Sequence, residues 1–198
     1  MKTVTYAQIE QLASDLGGFP RGKLPVSDAA MLRAFFAAEL PDLWNREAWP
    51  ELCDHLEAVT LDASNCFSLR EDTATEMGDL LAIITGGNPL TTSQVTVLPR
   101  EQYTRLDDRV NVLGPTITGG IYVDWQTPAP DLLDSDLDVA ATLAAYTLPA
   151  RFKLPLAARG AALLIAEEDP LKAGALRGLA EAELNKQASR ITRPWWRK

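Results

Sequence analysis

Between residues 51 and 137 the chain is built of short β-branched runs, whereas the stretches on either side have helical texture. "HLEAVTL", "CFSL", "LLAIITGG", "SQVTVLP", "RVNVL" and "TITGGIYVDWQ" are brief and are parted by Gly, Pro, Asn or Asp. That is the texture of a small antiparallel β unit. The flanks, 1–50 and 138–189, are each too small to bury a core alone. Their helices must therefore share one. The expected fold class is α+β: N-terminal helices and a C-terminal helical hairpin form one bundle, a small antiparallel β domain over 51–137 is inserted and projects from it, and an extended C-terminal arm occupies 190–198.

Local signals place the helices. In "TYAQIEQLASDLGG", Thr5 is an N-cap with Gln8 three residues on, and Gly17–Gly18 end the helix. Tyr6, Ile9 and Leu12/Ala13 share its apolar face. "SDAAMLRAFFAAEL" starts at Ser27 or Asp28, and Met31, Leu32, Phe35 and Phe36 give it a broad apolar stripe. Pro41 either kinks this helix or opens a short successor carrying Trp44 and Trp49. "GGNP" at 86–89 is a turn, and "PREQYTRLDD" at 99–108 fits a single helical turn with Pro99 first. Asp138 is a candidate cap for "DVAATLAAYTL", and the next helix begins at Pro149 or Pro155. From Pro170 a last helix places Leu171, Ala175, Leu179 and Leu184 near one face, with Lys172, Arg177, Glu181 and Lys186 mostly on another. Asp169–Pro170 separates the last two helices, an antiparallel hairpin.

Charge is unevenly spread. The formal net charge is −8. Residues 51–138 hold sixteen acids and four bases, a net of −12, while 186–198 hold five bases and no acid, a net of +5. The overall sign argues against ordinary nucleic-acid binding, which depends on neutralising phosphates. The basic, aromatic end "RITRPWWRK" points instead to an acidic or apolar surface on another molecule. No apolar run approaches the ~20 residues of a membrane span, and "MKTVTYAQIEQ" lacks the apolar stretch of a secretory signal, so synthesis in the cytosol is expected. Cys53 and Cys66, the only cysteines, make no disulfide framework and read as buried free thiols, although a bridge between them is open.

No motif for catalysis emerges. His55 is the only histidine, and "CDHLE" sets it two residues from Cys53, on the same side of a strand start. A Cys–His catalytic pair is conceivable there, but a structural role fits better. Phosphate-binding glycine loops and the G-x-S-x-G elbow are missing from the sequence. In "DLLDSDLDV", Asp134, Asp136 and Asp138 alternate like the first ligands of a calcium loop. Val139 then stands where that loop needs Gly, and Ala145 where it needs Glu. Helix capping and solvation near a positive helix end explain these carboxylates better. Neither a metal nor a cofactor is expected.

The order of elements resembles the head-to-tail adaptor (connector, or head completion) proteins of tailed bacteriophages. The resemblance lies in "SDAAMLRAFFAAELPDLWNREAWPEL", "LPREQYTRL", "GGIYVDWQTPAPDLLDSDLD" and "LPLAARGAALLIAEEDPLKAGALRGLAEAELNKQ". It covers nearly the whole chain in organisation. A helical pair ends near a tryptophan, an inserted β domain follows, and a strand, a proline-rich exit and paired acids precede an alanine-rich hairpin and an extended arm. Pro149 and Pro155 depart from the pattern, interrupting a stretch that many relatives fill with continuous helix. The resemblance implies a non-enzymatic virion protein of the head–tail neck, a homo-oligomeric dodecameric ring on the portal protein. The insert would face the tail or a tail-completion protein, and DNA would leave through the channel without specific binding. It carries Arg190, Arg193, Pro194, Trp195, Trp196, Arg197 and Lys198 over to the arm that reaches the portal.

Physical reasoning is compatible with that assignment. An acidic channel wall lets a polyanion slide, and the absence of lysine from residues 24 to 152 fits such a surface; equally, many soluble proteins are acidic. Truncating a buried tryptophan anchor typically costs ~2 kcal/mol or more, and weak arms repeated around a ring reinforce one another. Two rival readings stay open. One is a small soluble enzyme with its site in the β domain. The other is a monomeric protein-binding module using the basic tail.

Overall fold

The computed structural model of this 198-residue chain describes residues 2–20, 24–69, 78–92, 94–106, 108–113, 117 and 120–191, without the side chains of 54–56. In chain order the first elements are β1 (Thr3–Thr5), α1 (Tyr6–Gly17) and α2 (Val26–Asn45). Strands follow: β2 (Cys53–Val59), β3 (Cys66–Ser68), β4 (Asp79–Thr85), β5 (Thr96–Val97), β6 (Tyr103–Leu106), β7 (Arg109–Val112) and β8 (Ile121–Gln126). The last are α3 (Ala140–Ala145), β9 (Thr147–Pro149), α4 (Lys153–Leu164) and α5 (Pro170–Ala188). The fold is α+β. One compact unit comprises Met1–Glu47 with Ala129–Ile191, and the other is built from Ala48–Pro128.

In the helical unit α4 is the central element, packed by α1, α2 and α5. Its sequence, KLPLAARGAALL, is apolar nearly all round, and such a helix must be enclosed. Pro155, Leu156, Ala157, Ala158, Gly160, Ala161 and Ala162 are all buried. The small residues let neighbours approach: a Cβ on Gly160 would lie 2.6 Å from Cε1 of Phe36. Trp44 stacks on Phe152 at 5.4 Å. The two ends of the chain therefore share a core, as their individual sizes required.

At the start of α1 the Thr5 N–H donates to Gln8 Oε1 at 3.1 Å, and the Gln8 N–H donates to Thr5 Oγ1 at 3.3 Å, the expected capping box. Gly18 closes the helix in the left-handed region at φ 93°. β1 pairs antiparallel with β9, Val4 opposite Leu148, tying the first residues to the approach of α4. This two-stranded sheet has no counterpart in the sequence reading.

Several expectations require correction. α2 starts at Val26, with Pro25 at the cap position, and runs through Pro41 to Asn45 without a separate successor. Pro41 lies on an exposed side, where water can take the carbonyl its missing N–H leaves free. α4 starts at neither proline: a 3-10 turn over Ala150–Phe152 follows Pro149, and Pro155 falls in the helix's first turn. Asp138 does not cap α3, whose cap position is Val139; its carboxylate pairs with Arg33 at 3.1 Å. The buried face of α5 is Ala173, Leu176, Ala180 and Leu184, while Leu171, Ala175 and Leu179 are exposed.

The β unit holds two antiparallel sheets, β2-β8-β4-β5 and β3-β7-β6. Phe67, Val110 and Tyr103 from the second join Ile83, Val123 and Trp125 from the first in one core. The Trp125 indole N–H donates to Glu57 Oε2 at 3.2 Å, so the buried ring keeps its polar edge satisfied. Only Arg100–Gln102 after Pro99 form a helical turn; Tyr103–Leu106 continue as strand because Tyr103 is drawn into the core. Residues 129–137 belong to the helical unit rather than the insert. Leu132 and Leu137 are buried, and Arg33 Nε donates to the Leu132 carbonyl at 2.8 Å. Cys53 is a buried free thiol and Cys66 a half-buried one.

Candidate functional site

Of the seven arm residues singled out by sequence, Arg190 is described and the other six, Arg193, Pro194, Trp195, Trp196, Arg197 and Lys198, lie outside the described residues. Arg190 is exposed in the turn after α5, its N–H donating to the Gln187 carbonyl at 3.1 Å. The helix end beneath it is pinned. Gln187 Nε2 donates to the Arg151 carbonyl at 3.2 Å and to Glu183 Oε1 at 3.0 Å. Ser189 Oγ donates to the Lys186 carbonyl at 2.9 Å. Glu183 is held below the usual carboxylate range, first by its bond from Gln187 and then by Lys186, with Arg190 adding a weaker pull. Lys186 and Arg190 stand where the helix dipole favours cations. The root of the arm is thus a fixed, basic helix end.

Toward the middle of α5 lies a groove of about 360 Å³, lined by Phe35 and Glu39 of α2, Arg159 and Leu163 of α4, and Arg177 and Glu181 of α5. Its floor is apolar and its walls are charged. The Arg159 guanidinium bridges Glu39 and Glu181, and Arg46 reaches Glu181 at 2.9 Å and Asn185 at 3.0 Å. Glu181 is lowered from its ordinary value by its bonds from Arg159 and then Arg46. These four charges lock three helices together, a role that sequence reading missed in placing Glu181 only on a different face of α5 from Leu171, Ala175, Leu179 and Leu184. The available signal was Arg159 inside the otherwise apolar α4. In the β unit a second concavity, about 690 Å³, runs between Leu80–Ala82 of β4 and the segment Val95–Tyr103. On that side of β4, β5 pairs with Ile84 and Thr85, and the Leu98 N–H donates to the Ile83 carbonyl at 2.9 Å.

The residues weighed for chemistry are engaged otherwise or lie outside the description. Cys53 Sγ donates to the Trp49 carbonyl at 3.1 Å, and the His55 side chain is not among those described. Asp134 accepts the Asp136 N–H at 2.9 Å, capping a 3-10 turn, while Asp138 pairs with Arg33. Among the described residues, no three His, Cys, Asp or Glu side chains converge as metal ligands. Likewise, no helix there is long and apolar enough to cross a membrane. Neither a family model nor a curated protein matches this chain.

Proposed function

We propose that this protein is a structural head-to-tail adaptor of a tailed-phage virion: a dodecameric ring that docks on the portal protein and meets the tail or a tail-completion protein. It acts by binding, and its β unit and helices line part of the route by which DNA leaves. The observation that carries the reading is the architecture. A bundle made from both ends of the chain interrupts itself for one antiparallel β unit, and its last helix ends in a pinned basic turn. The sequence past that turn, "RITRPWWRK", supplies two indoles and four cations to the latch. Tryptophan and arginine are the side chains most often found as interface anchors, the latter through two-pronged pairing with carboxylates.

The test is deletion of residues 190–198. The reading predicts an unchanged helical circular-dichroism spectrum and melting temperature, with loss of attachment to portal-bearing particles. Global unfolding of the truncated protein, or undiminished attachment, would overturn it.

A further inference from the structure

Two helix faces in the helical unit are exposed and uncharged over their length. On α5 the residues opposite the buried face are Leu171, Gly174, Ala175, Gly178 and Ala182, with Leu179 alongside. Leu171 is 87% exposed and Leu179 42%. Among the described residues, a Cβ built on Gly174 or Gly178 meets nothing within 4 Å, so no contact there requires glycine. Glycine in an exposed helix interior is destabilising. Its missing side chain lets another backbone come close.

On α2 the corresponding face is Ser27, Ala30, Met31, Ala34, Ala38 and Pro41, with Val26 at its start. Val26 is 87% exposed and Met31 42%. The faces match in length and differ in the charge along one flank. Asp28 and Asp42 flank the α2 face and have no cationic partner among the described residues, and Glu39 lies on the same side, held by Arg159. Lys172 and Lys186 flank the α5 face, joined by Arg190. Lys172 reaches only the Gly17 carbonyl at 3.4 Å, and Lys186 shares Glu183 at 3.3 Å. Each pair, 28 with 42 and 172 with 186, is separated by fourteen residues, about 21 Å of helix. Both charged flanks lie on the same rotational side of their faces, so the aspartates meet the lysines when the two helices are laid antiparallel.

We infer that the α2 face of one copy of this chain packs antiparallel against the α5 face of a second copy, with Asp28 paired to Lys186 and Asp42 to Lys172. The occupant is a second copy because the two faces, on one protomer, complement each other in length, apolar character and charge. That choice rests on the complementarity of the faces and agrees with the ring reading. Two different patches in contact form a heterologous interface, which closes into a ring when the rotation permits.

The test uses full-length chains, isotopically heavy and light, mixed at high concentration and on portal-bearing particles, then treated with a carbodiimide that joins only touching carboxylates and amines. The expected products are heavy–light crosslinks between residues 28 and 186 and between 42 and 172. Asp28→Lys with Asp42→Lys, or Lys172→Glu with Lys186→Glu, should weaken assembly at least about tenfold while leaving the helical spectrum unchanged. Mixing the two variants, or combining all four changes in one chain, should restore it. The inference is overturned if either charge-reversed variant assembles like the parent, if restoration fails, or if the parent stays single in both settings. A closed pair of copies carrying these crosslinks would support this inference and count against the ring. A ring indifferent to the substitutions would do the reverse.

Discussion

Replacing Gly160 by alanine tests whether the two ends of the chain share a core. Gly160 sits mid-α4, and its missing side chain is where α2 makes its closest approach. A Cβ there would fall 2.6 Å from Cε1 and 2.8 Å from Cζ of Phe36, and 2.9 Å from Cδ2 of Leu32. Carbon atoms rest about 3.5–4.0 Å apart, so the Phe36 ring would have to retreat by roughly 1 Å. It has little room: Phe36 is 1% exposed and already meets the Tyr6 ring edge-on at 6.0 Å. Overpacking of this kind costs about 1–3 kcal/mol, against about 1 kcal/mol gained from alanine's helix propensity. The net expectation is a loss of about 1 kcal/mol. Gly174→Ala is the control, because its Cβ enters open space and only the gain remains. The two variants should therefore differ by about 2 kcal/mol, which for a chain of this size separates their melting temperatures by roughly 4–8 °C. Differential scanning calorimetry, at concentrations where the protein is a single copy, reads this directly. If Gly160→Ala raised the melting temperature as much as Gly174→Ala, α2 would not lie against α4 at this point, and the shared core would be refuted.

Arg159→Leu should cost about 2 kcal/mol in urea unfolding, because it removes charge-assisted bonds to two carboxylates and leaves them facing each other. Glu181 titrates below its ordinary value of 4.5 in the fold, so its stabilising contribution is complete above that value and fades as pH falls below it. The stability gap between Glu181→Gln and the parent should therefore narrow as pH falls below 4.5, in melting curves taken along a falling pH series. Glu10, raised by burial, has the opposite sign: Glu10→Gln should stabilise at neutral pH and do nothing in acid. Tyr6→Phe should be neutral or stabilising by up to about 1 kcal/mol, because the buried Tyr6 hydroxyl has no hydrogen-bond partner among the described residues. Thr5→Ala should cost about 1 kcal/mol by breaking the capping box, measured as a loss of midpoint in urea.

Local signals were legible where they acted alone. Thr5 with Gln8, the glycines after α1, and Asp169–Pro170 each specify a boundary through one or two hydrogen bonds, and each boundary stands. The α+β organisation was legible from the change in texture. Where two local solutions compete, sequence could not choose. α5 carries leucine and alanine all round, so its buried side was read as 171, 175, 179 and 184; packing against α4 selected 173, 176, 180 and 184 instead. β1 and β9 have three residues each and gain stability only from pairing across most of the chain, a contact no local pattern announces. Asp138 looked like a cap until Arg33, distant in sequence, claimed it. The basic aromatic end was conspicuous in composition, yet the fold describes only its root at Arg190.

The measurement that bears most directly on the whole account is the rotational symmetry and copy number of this protein in the neck of intact particles, by electron microscopy with residues 190–198 traced. The account predicts a twelvefold ring in which Trp195 and Trp196 of every copy are buried against the portal protein. A protein missing from the neck, or a ring whose tryptophans are tucked into their own protomers, would contradict it.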